Sequence, residues 1–170
     1  MRAAAAVKNP TTVNELKALH PTLARHEGVW EGMYRHYDAD GNKTDEHHSR
    51  LICRFPTDGD HLYHQTNIYT WKDGRSETRD FPAQVKDGRL WWDNEFIQGW
   101  AADMTLDTHG RTTVLNWVRT GDPDLYLYEM IQISDCGQKR ARTWHWFKND
   151  QLFSRTLVDE RKVSDSWEGL

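Results

Sequence analysis

Nine histidines stand among the 170 residues of this chain, and their spacing decides what chemistry they can do. His47 and His48 are adjacent, so on a strand their rings point to opposite faces and do not easily share one ion. There is no His-x-His and no His-Glu-x-x-His, so no dedicated metal site is expected. His36, His47 and His145 are candidate inward-facing residues, although a single inward histidine is more often a hydrogen-bonded packing residue. Glu129 sits on a strand of Tyr and Leu, where burial among aromatics raises a carboxyl pKa. The opposite facing of that strand exposes Glu129 and turns Tyr126 and Tyr128 inward. A buried histidine together with Glu129 and Tyr34 is equipped for general acid–base work on an organic substrate. The candidate catalytic set is therefore His36, Glu129 and His145. Such chemistry needs no cofactor, and none is expected. The chain has no phosphate loop, no Gly-x-Ser-x-Gly elbow and no nucleophile triad.

What must position these residues is legible in the turns. Asp40-Gly41, Asp58-Gly59, Asp73-Gly74, Asp87-Gly88, His109-Gly110 and Cys136-Gly137 recur at short intervals. Asp-Gly suits two-residue hairpins, whose central residues both take positive φ. The segments between are rich in Trp, Tyr, Ile, Val and Thr. They predict strands over 29–37, 43–55, 62–71, 76–85, 89–93, 96–106, 111–119, 125–134, 141–147 and 152–162. The connections are too short for crossover helices, so the sheet is antiparallel. A meander of about ten strands must close or leave an exposed edge. The expected fold is all-β: an antiparallel up-and-down barrel with a short N-terminal helix. That helix is announced by the capping box Thr12-Val13-Asn14-Glu15 and the stripe Leu16, Leu19, Leu23, with Pro21 breaking it or starting a second turn. One domain is expected: residues 1–27 form an extension with the helix, 28–163 the barrel and 164–170 a tail. Residues 1–10 and the tail are expected to be mobile.

Composition narrows the partners. A net charge of −4 gives no attraction to nucleic acid, and Lys139-Arg140-Ala141-Arg142 reads as a solvated strand end rather than a phosphate site. No run of about 18 apolar residues is present to span a membrane. The start, Met1 to Pro10, is too short and polar for a signal peptide, so a cytoplasmic protein is expected. Cys53 and Cys136 show no metal or redox spacing and read as reduced thiols, Cys53 in the core. Nine tryptophans in a chain of 37% hydrophobic content point to a few large aromatics supplying much of the buried area.

Gly28-Val29-Trp30, after the helix and at the head of the first strand, resembles the Gly-x-Trp signature of the calycin superfamily of lipocalins and fatty-acid-binding-like barrels. Gln65-Thr66-Asn67-Ile68-Tyr69 and Asn94-Glu95-Phe96-Ile97-Gln98-Gly99 are similar to segments of one branch, the DUF3598 group, distantly related to the barrels that attach bilins to phycobiliproteins. The resemblance implies a ligand-sized interior with Trp30 packed across the closed end under a basic residue, Arg155 or Arg161. It carries over no reaction and no bilin-handling motif. Some ten-stranded calycin barrels hold haem through one histidine, but the resemblance here is to another branch.

With Trp30 inward, the two-residue period brings Gly32, Tyr34 and His36 to the inner face, Gly32 leaving room for a ligand or an aromatic. Leu51, Cys53 and Phe55 place His47 and Ser49 inward on the second strand. The third is ambiguous; the set Tyr63, Gln65, Asn67, Tyr69, Trp71 is favoured for its aromatic volume and its two amides, which orient a ligand. The last strands carry large groups on both faces and remain open; their outer aromatics suit the helix or a homodimer contact. Tyr34, His47, Gln65, Asn67, Tyr69, Trp117 and Tyr128 are the candidate ligand-binding residues. The leading expectation is binding of a small, partly apolar organic molecule. The alternative is a cofactor-independent lyase, isomerase or dehydratase in the same cavity.

Overall fold

The turns expected from Asp-Gly pairs set the architecture, and one of them has the required geometry in full. Asp87 (φ 51°) and Gly88 (φ 70°) join Lys86 to Arg89 as a two-residue hairpin. Asn149 (φ 50°) and Asp150 (φ 60°) do the same between Lys148 and Gln151, a turn that no Gly announced. The computed structural model describes residues 8–106 and 108–170. The expectations for residues 1–7, their mobility and the lack of a signal peptide, lie outside the described residues.

Ten strands follow two short helices, α1 (Val13–Leu19) and α2 (Pro21–Ala24). They are β1 (Gly28–Asp38), β2 (Lys43–Arg54), β3 (Tyr63–Thr70), β4 (Ser76–Lys86) and β5 (Arg89–Asp93). The second half is β6 (Ile97–Met104), β7 (Thr112–Arg119), β8 (Asp122–Ile133), β9 (Lys139–Lys148) and β10 (Gln151–Ser164). Each strand pairs antiparallel with the next, and β10 returns to β1, so the barrel is closed and no edge remains. No helix among the described residues is long and apolar enough to cross a membrane.

The helices seal one end. The capping box forms: the Glu15 amide donates to Thr12 Oγ1 at 3.2 Å and the Thr12 amide to Glu15 Oε2 at 3.3 Å. Pro21 opens α2, whose Thr22 and Leu23 amides donate to the Asp103 carboxylate of β6 at 2.6 and 3.0 Å. Leu16 and Leu23 are buried beneath. Above them lies Trp30, wholly buried, its indole N–H donating to the His26 carbonyl at 2.8 Å. The basic cover over its ring is not Arg155 or Arg161. Arg140 stands 4.3 Å and Lys162 5.2 Å from the ring centroid. Trp30 lies opposite Lys162 in the β1–β10 register, so residue 161 falls on the outer face.

Gly32 differs from expectation in the same way. A Cβ there would stand 2.0 Å from the Asp159 carbonyl oxygen and 2.7 Å from Glu160 Cγ. The missing side chain lets β10 approach β1 and seats Glu160, rather than clearing space for a ligand. Cys53 is buried and Cys136 exposed, both free.

Candidate functional site: a barrel cavity with an ionic floor

The interior is not filled. A cavity of about 730 Å³ runs from Leu23 and His26 at the helical end to Asp38, Thr44 and Phe153 at the mouth. That is within the range of roughly 300–1,000 Å³ for small-molecule sites. Its three parts differ in chemistry.

The first part is the wall of β1, β2 and β3, which is polar. The favoured facing of β3 holds: Tyr63, Gln65, Asn67, Tyr69 and Trp71 all line the cavity. The first four form a one-way chain of hydrogen bonds, each two residues along the strand. Tyr63 Oη donates to Gln65 Oε1 at 2.9 Å, Gln65 Nε2 to Asn67 Oδ1 at 2.7 Å and Asn67 Nδ2 to Tyr69 Oη at 2.8 Å. The chain leaves the Tyr69 hydroxyl hydrogen at its end, beside the cavity. Nearer the mouth, Asp45 accepts from Trp71 Nε1 at 3.1 Å and lies 2.8 Å from His47 Nδ1. His36 packs against His47 with ring centroids 5.4 Å apart and holds Nδ1 2.9 Å from Thr156 Oγ1. Burial, and secondarily the His47 ring, lower the His36 pKa to about 4, so this imidazole is neutral at pH 7. At Asp45 burial pulls upward, but the bonds from His47 and Trp71 outweigh it and keep the carboxyl below its ordinary value.

The opposite wall is aromatic. Trp117, Trp144 and Trp146 line it with Leu115 and Ile131, and Trp117 meets Trp146 edge-on at 5.0 Å.

The floor is ionic. Arg140 and Arg142, read from sequence as a solvated strand end, are both buried and line the cavity. Arg140 sits opposite Glu160 of β10 and pairs with it. Arg142 Nε donates to Glu129 Oε1 at 2.5 Å and its Nη1 to Tyr34 Oη at 2.6 Å. Two guanidiniums meet two carboxylates, so each charge has a counter-charge. Burial works against the charge on Arg142, but Glu129, Tyr34 and Glu160 hold its pKa well above the ordinary guanidinium value. For Tyr34 burial dominates and raises the phenol, which stays protonated.

His145 and Tyr128 are not brought to the cavity. They are cross-strand partners on the outer face, both exposed. The inward set of β9 is Arg140, Arg142, Trp144 and Trp146, because ion pairing and indole burial outweigh burial of Thr143, His145 and Phe147. On β8 the pairing of Glu129 with Arg142 settles the facing, so Tyr126 and Tyr128 turn out and pack against Phe147. The remaining sequence candidates, Tyr34, His36, His47, Gln65, Asn67, Tyr69, Trp117 and Glu129, all line the cavity. Sequence reasoning missed Asp45, Arg140, Arg142 and Trp144. The signal for the last three was the phase of Arg140-x-Arg142-x-Trp144-x-Trp146.

The floor carries a pH dependence. His26 Nδ1 lies 2.9 Å from Arg140 Nη1, which can only donate, so Nδ1 must keep its lone pair. Burial first, then Arg140, Arg142, Lys162 and Arg25, holds His26 well below the 6.5 of a free imidazole. The unfolded chain takes up a proton at this residue near pH 6.5 and the folded chain does not. Its contribution to stability is thus constant above about pH 7. Stability falls by about 1.4 kcal/mol for each unit below 6.5 until the folded group itself titrates. Urea unfolding at pH 7.5, 6.5 and 5.5 checks this. The His26→Gln variant should lose the extra slope, and equal slopes in both proteins would remove the assignment.

Fold and cavity together define a calycin-like barrel: a closed ten-stranded antiparallel meander with a helical lid at one end and an internal cavity. Among the solved structures that share this fold, two illustrate the likeness. A protein of unknown function from the DUF3598 family of Nostoc punctiforme PCC 73102 matches with a TM-score of 0.64 at 16% identity, over 83% of this chain and 49% of its own. This chain thus spans about half the length of that protein. The S-type phycobiliprotein lyase CPES from Guillardia theta matches with a TM-score of 0.58 at 14% identity, over 93% of this chain and 95% of its own. No protein-family model matches the sequence, and no curated protein matches it.

Proposed function

We propose that the barrel binds one small, partly apolar organic molecule between its aromatic and polar walls. The observation that carries this reading is a cavity of about 730 Å³ whose two walls differ. Trp117, Trp144 and Trp146 offer flat apolar surface, while Gln65, Asn67 and Tyr69 offer donors and acceptors in a fixed order. A ligand with an extended ring system and one polar edge fits both. The shared fold with a phycobiliprotein lyase makes a bilin one ligand to test. A second reading, a lyase, isomerase or dehydratase working by proton transfer, is supported by the Asp45–His47 pair beside neutral His36. In that reading Glu129, bound to Arg142, positions Tyr34 rather than moving a proton.

Native mass spectrometry of the purified protein tests for a retained small molecule. Titration with biliverdin, haem or an anilinonaphthalene sulfonate should quench tryptophan emission with one ligand per chain. Ala101, buried on the cavity wall, gives the control. Ala101→Phe puts a ring into the cavity and should weaken uptake about tenfold, which is about 1.4 kcal/mol. Absence of uptake of every probe, or uptake unchanged by Ala101→Phe, would overturn the binding reading.

A further inference from the structure

We propose that His36, Asp45 and His47 form a binding site for one divalent transition-metal ion at the mouth of the cavity. One ligand atom from each of the three lies within 4.8 Å of the others. The grouping follows from the register of the first hairpin. His36 of β1 is directly opposite Asp45 of β2, and His47 stands two residues further along, on the same inner face. Two adjacent residues of one strand point to opposite faces and could not achieve this, which is why His47 and His48 misdirect a reading by motif.

The donor set selects the ion. Two imidazoles and one carboxylate suit Zn²⁺, Co²⁺ or Fe²⁺, whereas Mg²⁺ and Ca²⁺ take oxygen donors. Ligand atoms separated by up to 4.8 Å must close to about 3 Å around an ion with bonds of about 2.0–2.1 Å, a movement within reach of side-chain rotation. The surroundings favour a cation. Asp45 has no Lys or Arg partner among the described residues, its nearest polar neighbour being the His47 ring at 2.8 Å. Asp38 also lines this end of the cavity. The outer shell is built as metal sites build theirs. Thr156 Oγ1 fixes one ring nitrogen of His36, Trp71 Nε1 holds the Asp45 carboxylate, and Trp71 packs 4.6 Å from the His47 ring. Three protein ligands leave coordination positions open, and His36, Asp45 and His47 all line the cavity. An oxygen of a bound organic molecule can occupy one of them.

The inference rests on the geometry of the mouth and not on the identity of the organic ligand. Chelator-stripped protein is titrated with Co²⁺. One equivalent per chain should bind with visible d–d absorption, displaced by Zn²⁺. Co²⁺ should also shift the ring-proton resonances of His36 and His47 in the wild-type protein, a readout that needs no variant. Asp45→Asn and His36→Gln should each weaken Co²⁺ binding beyond the roughly 10–100-fold that follows loss of an outer-shell partner. Absence of d–d bands, unchanged affinity in the folded variants, or shifts confined to other histidines would overturn the site. Dye uptake by the metal-free protein is read separately. Its persistence without Co²⁺ binding removes the metal site and leaves the cavity reading intact, and its loss with Co²⁺ binding does the reverse.

Discussion

Replacing Arg142 by methionine is expected to lower the free energy of unfolding by about 3–5 kcal/mol. Arg142 and Glu129 have side chains only 5% and 1% exposed, and their contact is 2.5 Å. Removing the guanidinium leaves the Glu129 carboxylate buried without its counter-charge and takes from Tyr34 the donor at 2.6 Å. The cost is that of an orphaned charge, not of a lost attraction. The double variant Arg142→Met with Glu129→Leu should therefore be more stable than Arg142→Met alone, since replacing both partners removes the orphan. Urea titration of the wild type, Arg142→Met, Glu129→Leu and the double variant decides the matter. If the double variant loses the sum of the two single losses, the pair is not coupled and this account of the floor fails.

Trp30→Ala should cost a similar amount, about 3–5 kcal/mol. The indole is wholly buried, bonded to the His26 carbonyl and covered by Arg140 and Lys162. Truncation opens a void between the helices and the barrel and strips the face on which Arg140 lies. Trp30→Phe keeps a ring for the two cations but loses the N–H donor, so it should fall between the wild type and Trp30→Ala. A loss below about 1 kcal/mol for Trp30→Ala would mean that the helical end is held by α1 and α2 alone.

These two residues mark how far the sequence could be read. Trp30 was legible because Gly-x-Trp combines with a strand of clean alternation: Trp30, Gly32, Tyr34 and His36 share a face. β3 was legible because one face collected both amides and most aromatic volume. β8 and β9 were not, since Tyr126, Tyr128 and Phe147 rival Leu127, Trp144 and Trp146 in apolar area. Hydrophobicity there has no preferred phase. The deciding contribution is ionic and non-local. Arg140 and Arg142 can be inside only because Glu160 and Glu129 arrive from the flanking strands with matching charge. Arginine alone is seldom buried, so a rule based on single residues sends it outward. Asp45 was missed for a related reason, as its grouping with His36 exists across a hairpin and in no contiguous motif.

The seam between β1 and β10 has a consequence for biosynthesis. Trp30 faces Lys162, and Gly32 faces Glu160, across more than a hundred residues of intervening chain. Nine strands can zip up locally as hairpins, each a short-range event. The tenth alone converts a curled ribbon with two bare rims into a cylinder. Until it emerges from the ribosome, β1 and β9 both present unpaired backbone, and the nascent chain is most exposed to self-association in that interval.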